Sequence, residues 1–116
     1  MKTLILSAEN NSIEAKVADN FLARFLGLMG KKSLPEGQGL LLSPCSSIHM
    51  MFMNFPIDAV FLDNDYQIIK IVPHLRPWLG FTCCFTAQAC LELPSGTANM
   101  LGWREGMKLT PLYHNS

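Results

Sequence analysis

Three side chains that can take part in acid–base or nucleophilic chemistry lie within one apolar stretch, CSSIHMMFMNFPIDAVFLD, residues 45–63. They are Cys45, His49 and Asp58. An unpaired charge among apolar groups is costly, or else the pKa of the group shifts until the group is neutral. This stretch is therefore where we expect either a structural polar cluster or a site.

A contact between His49 and Asp58 is one explanation for two ionisable side chains in this apolar stretch, because each would compensate the charge of the other. If the two halves of the stretch pair as a β-hairpin about Asn54, alternation of side chains places His49, Met53 and Asp58 on one face. Asp58 could then hold His49 in one tautomer, and Arg24 from the preceding segment could neutralise the carboxylate. A register slip of one residue would separate the groups.

A purely structural role is the simplest interpretation. A carboxylate at the start of a strand commonly accepts backbone N–H groups, and a single histidine on an apolar strand is commonly a core residue with its hydrogen bonds satisfied. Losses of stability without a binding phenotype in Asp58→Asn and His49→Gln would support that interpretation.

A hydrolase-like enzyme is a second interpretation, with Cys45 as nucleophile, His49 as base and Asp58 as the residue that orients it. Against it, Cys45 and His49 are only four positions apart and no glycine-rich oxyanion loop accompanies them. Pro44 precedes the thiol without a helix start that would lower its pKa.

Soft-metal binding is a third interpretation, because His49, Met51 and Met53 at alternating strand positions suit Cu(I). Four cysteines could add thiolates, but their spacing matches no zinc template, and alternating methionines usually belong to a core. We therefore predict no metal and no other cofactor. The cysteines are Cys45, Cys83, Cys84 and Cys90.

A noncatalytic binding module is the interpretation that we favour, with a groove near residues 45–58 that takes a small ligand or a protein partner. Arg24, His49 and Asp58 would orient the ligand, and Trp78 and Phe81 from a proline-interrupted loop would form the rim. A catalytic site needs an accessible, perturbed acid, base or nucleophile, whereas a binding module needs a concave apolar patch with a few polar groups.

Composition limits the classes of partner. The 116 residues include 49% hydrophobic and 16% charged residues, where roughly 25% charged is usual. Some uncharged surface must remain, which suits a homo-oligomer contact or a ligand groove. Nine basic residues balance nine acidic ones without a basic cluster, so we expect neither a nucleic acid nor an anionic membrane surface as partner.

Residues 39–62 carry a single formal charge, but Pro44 and Pro56 interrupt them, so we predict no transmembrane helix. The apolar run at the start of the chain is too short for a signal peptide. Together with reduced thiols, this predicts a cytoplasmic protein.

A main helix is predicted after Asp19 as its N-cap, ending at Gly30. Gly27 within it indicates a close backbone approach or an early helix end. The apolar stripe of this helix comprises Phe21, Leu22, Phe25, Leu26, Leu28 and Met29.

The rest of the chain predicts short strands. KTLILS and SIEAKVA form a hairpin about Glu9 to Asn11, TANMLG forms a second, short helix, and PHLRPWLG is a loop or a sheet edge because of its prolines. The fold is mostly β, a β-rich α+β domain: a small antiparallel barrel or curled sheet over residues 1–116. Further strands are expected near 39–43, 47–53, 56–63, 66–72, 88–93 and in MKLTPLY.

The blocks RFLGLMGKKSLPEGQGLLLSPCSSIHMMFMNFPIDAVFLD, LRPW and LELPSGT occur in an order and spacing that resembles the small prokaryotic family called Domain of Unknown Function 192. The resemblance runs from about residue 18 to 109. It implies a compact, strand-rich, single-domain fold and brings no established activity. The matching positions include Arg24, Gly27, Cys45, His49, Met53, Asp58, Leu93 and Gly96.

This chain departs from the family pattern at a few positions. Family members tend to carry arginine where Leu79 stands, aspartate where Met107 stands, and threonine and phenylalanine where Met50 and Met51 stand. Any function that needs the missing charges is therefore not expected in this chain.

Overall fold

The structure is a computed structural model. It describes residues 2–20, 23–24 and 27–114. Nine strands and one short helix have both ends within these residues. They are β1 (Thr3–Ala8), β2 (Asn11–Ala18), β3 (Gln38–Leu42), β4 (Ser47–His49), β5 (Ile57–Leu62), β6 (Ile68–Leu75), β7 (Phe81–Cys83), β8 (Ala89–Pro94), α1 (Thr97–Met100) and β9 (Thr110–His114).

Seven of these strands form one curled sheet in the order β6-β5-β8-β3-β2-β1-β9, and β4 and β7 form a separate pair. All neighbours are antiparallel except β2 and β3, which are parallel. The sheet curls so that its two edge strands approach each other near their first residues. Gln67, just before β6, and Lys108, just before β9, form an isolated antiparallel bridge there. The prediction of a mostly β fold with a curled sheet is confirmed.

Both faces of the sheet are buried at its centre, because every residue of β5 is buried and so is nearly all of β8. Side chains alternate along a strand, so successive residues belong to different cores. Val60 and Leu91 pack with Ala98 on what we call the α1 face. Phe61 and Cys90 pack with Leu28 and Ile48 on what we call the Leu28 face.

Of the predicted main helix, the structure describes residues 23–24, which are helical. The side-chain Oδ1 of Asn20, and not Asp19, accepts the hydrogen bond from the backbone N–H of Ala23 at 2.8 Å. Gly27 has φ +49°, and residues 27–30 form turns, so the helix ends before Gly30. The stripe residues Phe21, Leu22, Phe25 and Leu26 lie outside the described residues.

No helix in the described ranges is long and apolar enough to cross a membrane.

Most strand predictions are confirmed to within a few residues, including the first hairpin, the short helix α1 and the edge position of β6 and β9. The predicted hairpin between residues 47–53 and 56–63 does not form. β4 ends at His49 and pairs with β7, which the sequence analysis missed, while β5 lies between β6 and β8. Met50 instead donates its backbone N–H to the carbonyl of Gly80 at 2.9 Å.

Candidate functional site

Asp58 is fully buried on β5 and acts as a backbone acceptor. Its Oδ1 accepts hydrogen bonds from the backbone N–H groups of His74 at 3.0 Å and Gly96 at 3.1 Å. Its Oδ2 accepts the backbone N–H of Ala98 at 2.9 Å. One carboxylate thus joins β6, the turn after β8 and the first turn of α1.

The local sequence explains why a carboxylate is needed there. β5 and β6 change register between Ile57 and Ala59, so that Pro73 and His74 bulge opposite Asp58. His74 adopts φ +53°, and its N–H is turned out of the ladder toward the carboxylate. Bulges leave such donors unpaired, and a buried acceptor satisfies this one.

His49 and Asp58 are therefore not partners, contrary to the hairpin hypothesis. Asp58 of β5 is the register partner of Leu93 of β8, and the side chain of Leu93 packs on the α1 face. His49 is exposed at the end of β4, opposite Phe81 of β7. The compensation of His49 by Asp58 is wrong because it required β4 and β5 to be neighbours.

A cavity of about 420 Å³ opens on the Leu28 face. Four members of the predicted cluster line it, namely Arg24, Cys45, His49 and Met53, whereas Asp58 does not. The volume falls within the range of small-molecule sites. The remaining lining residues are Gly27, Leu28, Met29, Leu42, Pro44, Ser46, Ser47, Ile48 and Glu92.

Glu92 is the cavity residue that the sequence analysis missed. It lies on β8, pairs with Leu40 and Ala59 of the flanking strands, and is only 4% exposed. Its Oε1 is buried and accepts no hydrogen bond from the described residues. Burial raises the pKa of Glu92 to about 7. The available signal was the motif ACLELP, where a single carboxylate interrupts a strand of otherwise apolar residues.

The wall opposite β8 is formed by the turn at Gly27. A Cβ atom placed on Gly27 would lie 3.7 Å from Oε1 of Glu92, so this backbone lies directly beside the carboxyl group. Arg24, one helical turn earlier, is half-buried and donates from Nη1 to the carbonyl of Asp19 at 2.9 Å. The cavity is therefore lined by one cationic and one carboxyl side chain from different elements.

Cys45 is held as a thiol in this cavity. Its Sγ donates to the carbonyl oxygen of Ser47 at 3.2 Å. Burial raises the pKa of Cys45, and the carboxyl group of Glu92 raises it further, while the hydrogen bond with Ser47 and the charge of Arg24 act in the opposite direction. A raised pKa lowers the fraction of thiolate, the form that acts as a nucleophile. The arrangement of Cys45, His49 and Asp58 required by a hydrolase is not assembled.

A sequence model of the family Domain of Unknown Function 192, described as an uncharacterized ACR, matches residues 4–111. The chain belongs to this family. A UPF0127 protein of Pyrococcus furiosus is 32% identical over 102 residues, which span 84% of this chain and 85% of the relative. A UPF0127 protein of Pyrococcus horikoshii is 34% identical over 88 residues, which span 72% and 74% of the two chains.

Two solved structures share the fold of this member of the Domain of Unknown Function 192 family. A protein of unknown function from Novosphingobium aromaticivorans superposes with a TM-score of 0.82 at 20% identity, covering 93% of this chain and 83% of its own. A protein from Sinorhizobium meliloti, proposed to be a transcription regulator, superposes with a TM-score of 0.85 at 21% identity, covering 95% and 92%. At these identities the likeness concerns the fold alone.

Trp78 and Phe81 do not form the rim of the cavity. They are 51% and 66% exposed, and neither lines the cavity beside Glu92. Trp78 instead packs edge-on against Phe52, with ring centroids 5.2 Å apart, and both residues have positive φ. Leu79, where Domain of Unknown Function 192 proteins tend to carry arginine, is 81% exposed in the same loop.

Met51, part of the proposed soft-metal set, is 52% exposed and does not line the cavity with His49 and Met53. Among the described residues, no group of three or more His, Cys, Asp or Glu side chains is placed to hold a metal ion. The four cysteines are free thiols, of which Cys90 is buried and the others are half-buried.

A second cavity of about 560 Å³ lies on the other side of Gly27 and Leu28, against β2 and β3. Its charged lining residues are Lys16 and Lys31, both exposed. Exposed lysines are hydrated and need no ligand, whereas a buried carboxyl oxygen without a donor does. The smaller cavity is therefore the better candidate for a site.

Proposed function

We propose that this protein binds a small molecule in the cavity between the Gly27 turn and β8, without transforming it. The observation that carries the proposal is Oε1 of Glu92, which is buried, lines the cavity and lacks a hydrogen-bond donor among the described residues. In folded proteins such atoms are nearly always satisfied, by protein, ordered water or ligand. A bound molecule with a donor group would supply the missing partner.

Two further features support binding over catalysis. Cys45 is a poor nucleophile because burial raises its pKa and so lowers the fraction of thiolate. Asp58, the expected orienting residue, is occupied by three backbone N–H groups on the α1 face. The balance of nine basic and nine acidic residues gives no support for nucleic acid as the ligand.

Native mass spectrometry of gently purified protein, compared with the same sample denatured, tests the proposal. We expect an additional mass that is lost on denaturation, that is reduced in Glu92→Gln and that persists in the control Glu36→Gln, whose side chain is exposed in a turn. A library of small metabolites screened by thermal shift would then identify the class. The proposal fails if the protein carries no extra mass and no library member raises Tm more in the wild type than in Glu92→Gln.

A further inference from the structure

We infer that the ligand of this cavity is a small zwitterion, a molecule with an ammonium group that Glu92 binds, a carboxylate that Arg24 binds, and an apolar part. The inference rests on the proposed function, and it adds the chemical class. Free amino acids with apolar side chains and short peptides share this chemistry.

The ammonium end is assigned to Glu92 because of how β8 presents it. Alternation along β8 places Glu92 on the same side as Cys90, facing the Leu28 face. Strand β8 pairs with β3 on one side and with β5 on the other, so the backbone N–H groups of these strands bond within the sheet. A buried carboxylate without a donor is strongly unfavourable, and a charged donor compensates it best. An ammonium group offers three N–H donors and the opposite charge.

The carboxylate end is assigned to Arg24. Among the described residues, one hydrogen bond from Nη1 to the carbonyl of Asp19 engages its guanidinium, and no carboxylate pairs with it. A guanidinium carries five N–H donors in a planar fork that suits a carboxylate. Arg24 faces the cavity from the helical wall, across from the strand that carries Glu92.

The two charges lie apart within the cavity and do not neutralise each other. Within the described ranges Arg24 and Glu92 form neither an ion pair nor a hydrogen bond, although both line the same space. Cys45 lines the same cavity as both residues. A ligand that carries both complementary charges would bridge this gap, whereas a singly charged ligand would leave one side chain without a partner.

The rest of the lining selects for an apolar body. Leu28, Ile48 and Met53 are buried, and Met29 adds a flexible thioether that adapts to different shapes. A cavity of about 420 Å³ accommodates an amino acid or a dipeptide, and it is too small for a longer folded segment.

Isothermal titration calorimetry with matched probes tests the inference. The probes are leucine, the dipeptide Leu-Leu, 3-methylbutylamine, which has only the amine, and 4-methylpentanoate, which has only the carboxylate. We expect leucine or Leu-Leu to bind at least tenfold tighter than either singly charged analogue. The tighter of the two zwitterions indicates whether free amino acids or peptides are the source.

Two variants assign the charges to their residues. Glu92→Gln should weaken the zwitterion and the amine at least tenfold and leave 4-methylpentanoate unaffected. Arg24→Gln should weaken the zwitterion and 4-methylpentanoate at least tenfold and leave 3-methylbutylamine unaffected. Glu36→Gln and Lys32→Gln, both at exposed positions, should change none of the affinities. Circular dichroism of each variant checks that its fold is retained.

The remaining outcomes overturn the inference in distinguishable ways. If a singly charged analogue binds as tightly as the zwitterion, or if the probes fail while another library member binds in a Glu92-dependent manner, the zwitterion is wrong and the proposed function stands. If neither the probes nor the library bind, both proposals are wrong.

Discussion

Asp58 binds the backbone N–H of Ala98 through Oδ2 at 2.9 Å, forty positions further along the chain. The same side chain receives two more backbone N–H groups through Oδ1. Because all three donors belong to irregular or terminal backbone, no sheet ladder or helix could satisfy them. This carboxylate therefore fixes the geometry of the α1 end of the fold and takes no part in the cavity.

Replacing Asp58 by asparagine should cost about 2–4 kcal/mol of stability, because the amide keeps one acceptor and points its NH₂ group at a backbone donor. Urea unfolding monitored by circular dichroism measures the loss. The control is Asp65→Asn in an exposed turn, which should change stability by less than about 0.5 kcal/mol. Equal stability of the two variants would contradict the structural role assigned to Asp58.

Glu92→Gln should make the protein more stable at alkaline pH. The pKa of Glu92 is about 7 in the folded protein against 4.5 in a model peptide, so the folded state holds a proton that the unfolded chain releases. The contribution of this carboxyl group to the free energy of unfolding is therefore fully present below pH 4.5, decreases as the pH rises to about 7, and is absent above that pH. The difference corresponds to about 3 kcal/mol.

Urea unfolding of the wild type and Glu92→Gln between pH 4.5 and 8 checks this expectation. The two proteins should be similarly stable at pH 4.5, and the variant should gain progressively up to pH 8. Parallel pH curves for the two proteins would show that the carboxyl group is hydrated or paired in the folded state.

Local sequence signals were sufficient for most of the strands but not for β7, which was missed, or for the end of β4 at His49. The alternation in residues 3–18 and the turn signal at Glu9 and Asn10 predict the first hairpin, and Pro73 and Pro111 predict edge strands, as observed. Pairing between distant segments carries no such local signal. Nothing in SIH and FTC indicates that they pair with each other, and the parallel neighbours β2 and β3 are twenty residues apart.

Sheet order also decides which of the residues named from the sequence lie together. Arg24, Cys45, His49 and Met53 do line one cavity, because the segments that carry them are close in sequence or dock on one sheet face. The two buried carboxyl groups lie on opposite faces: Asp58 is on the α1 side, and Glu92, on the strand beside it, faces the cavity. Which face a carboxylate occupies depends on sheet order and register, and a change of one residue reverses it.

Gly80→Ala should destabilise the protein by about 1–3 kcal/mol through overpacking. The added Cβ would lie 2.6 Å from the carbonyl oxygen of Arg76 and 2.9 Å from Cγ of Met50, and the first of these is backbone that cannot rotate away. Gly102→Ala is the matched control, since it has φ +72° but no atom within 4 Å of the added Cβ. We expect that control to lose only about 1 kcal/mol from backbone strain. A larger loss at Gly102 than at Gly80 would contradict this account of the loop.

Cys45 should react with iodoacetamide at pH 7.5 more slowly than N-acetylcysteine, because its raised pKa leaves less thiolate at that pH. Cys90 should react more slowly still, since it is fully buried and its pKa is raised well above that of an ordinary thiol. Mass spectrometry of the alkylated peptides over time gives each rate, and unfolding in urea should bring all four cysteines to a similar rate.

The two charged neighbours of Cys45 provide an internal check on sign. Glu92→Gln removes a carboxyl group that raises the thiol pKa, so Cys45 should react faster in that variant. Arg24→Gln removes a cation that lowers the pKa, so Cys45 should react more slowly. A wild-type Cys45 that reacts faster than N-acetylcysteine, with rates unmoved by either substitution, would indicate an activated thiol and would reopen a nucleophilic role for this side of the cavity.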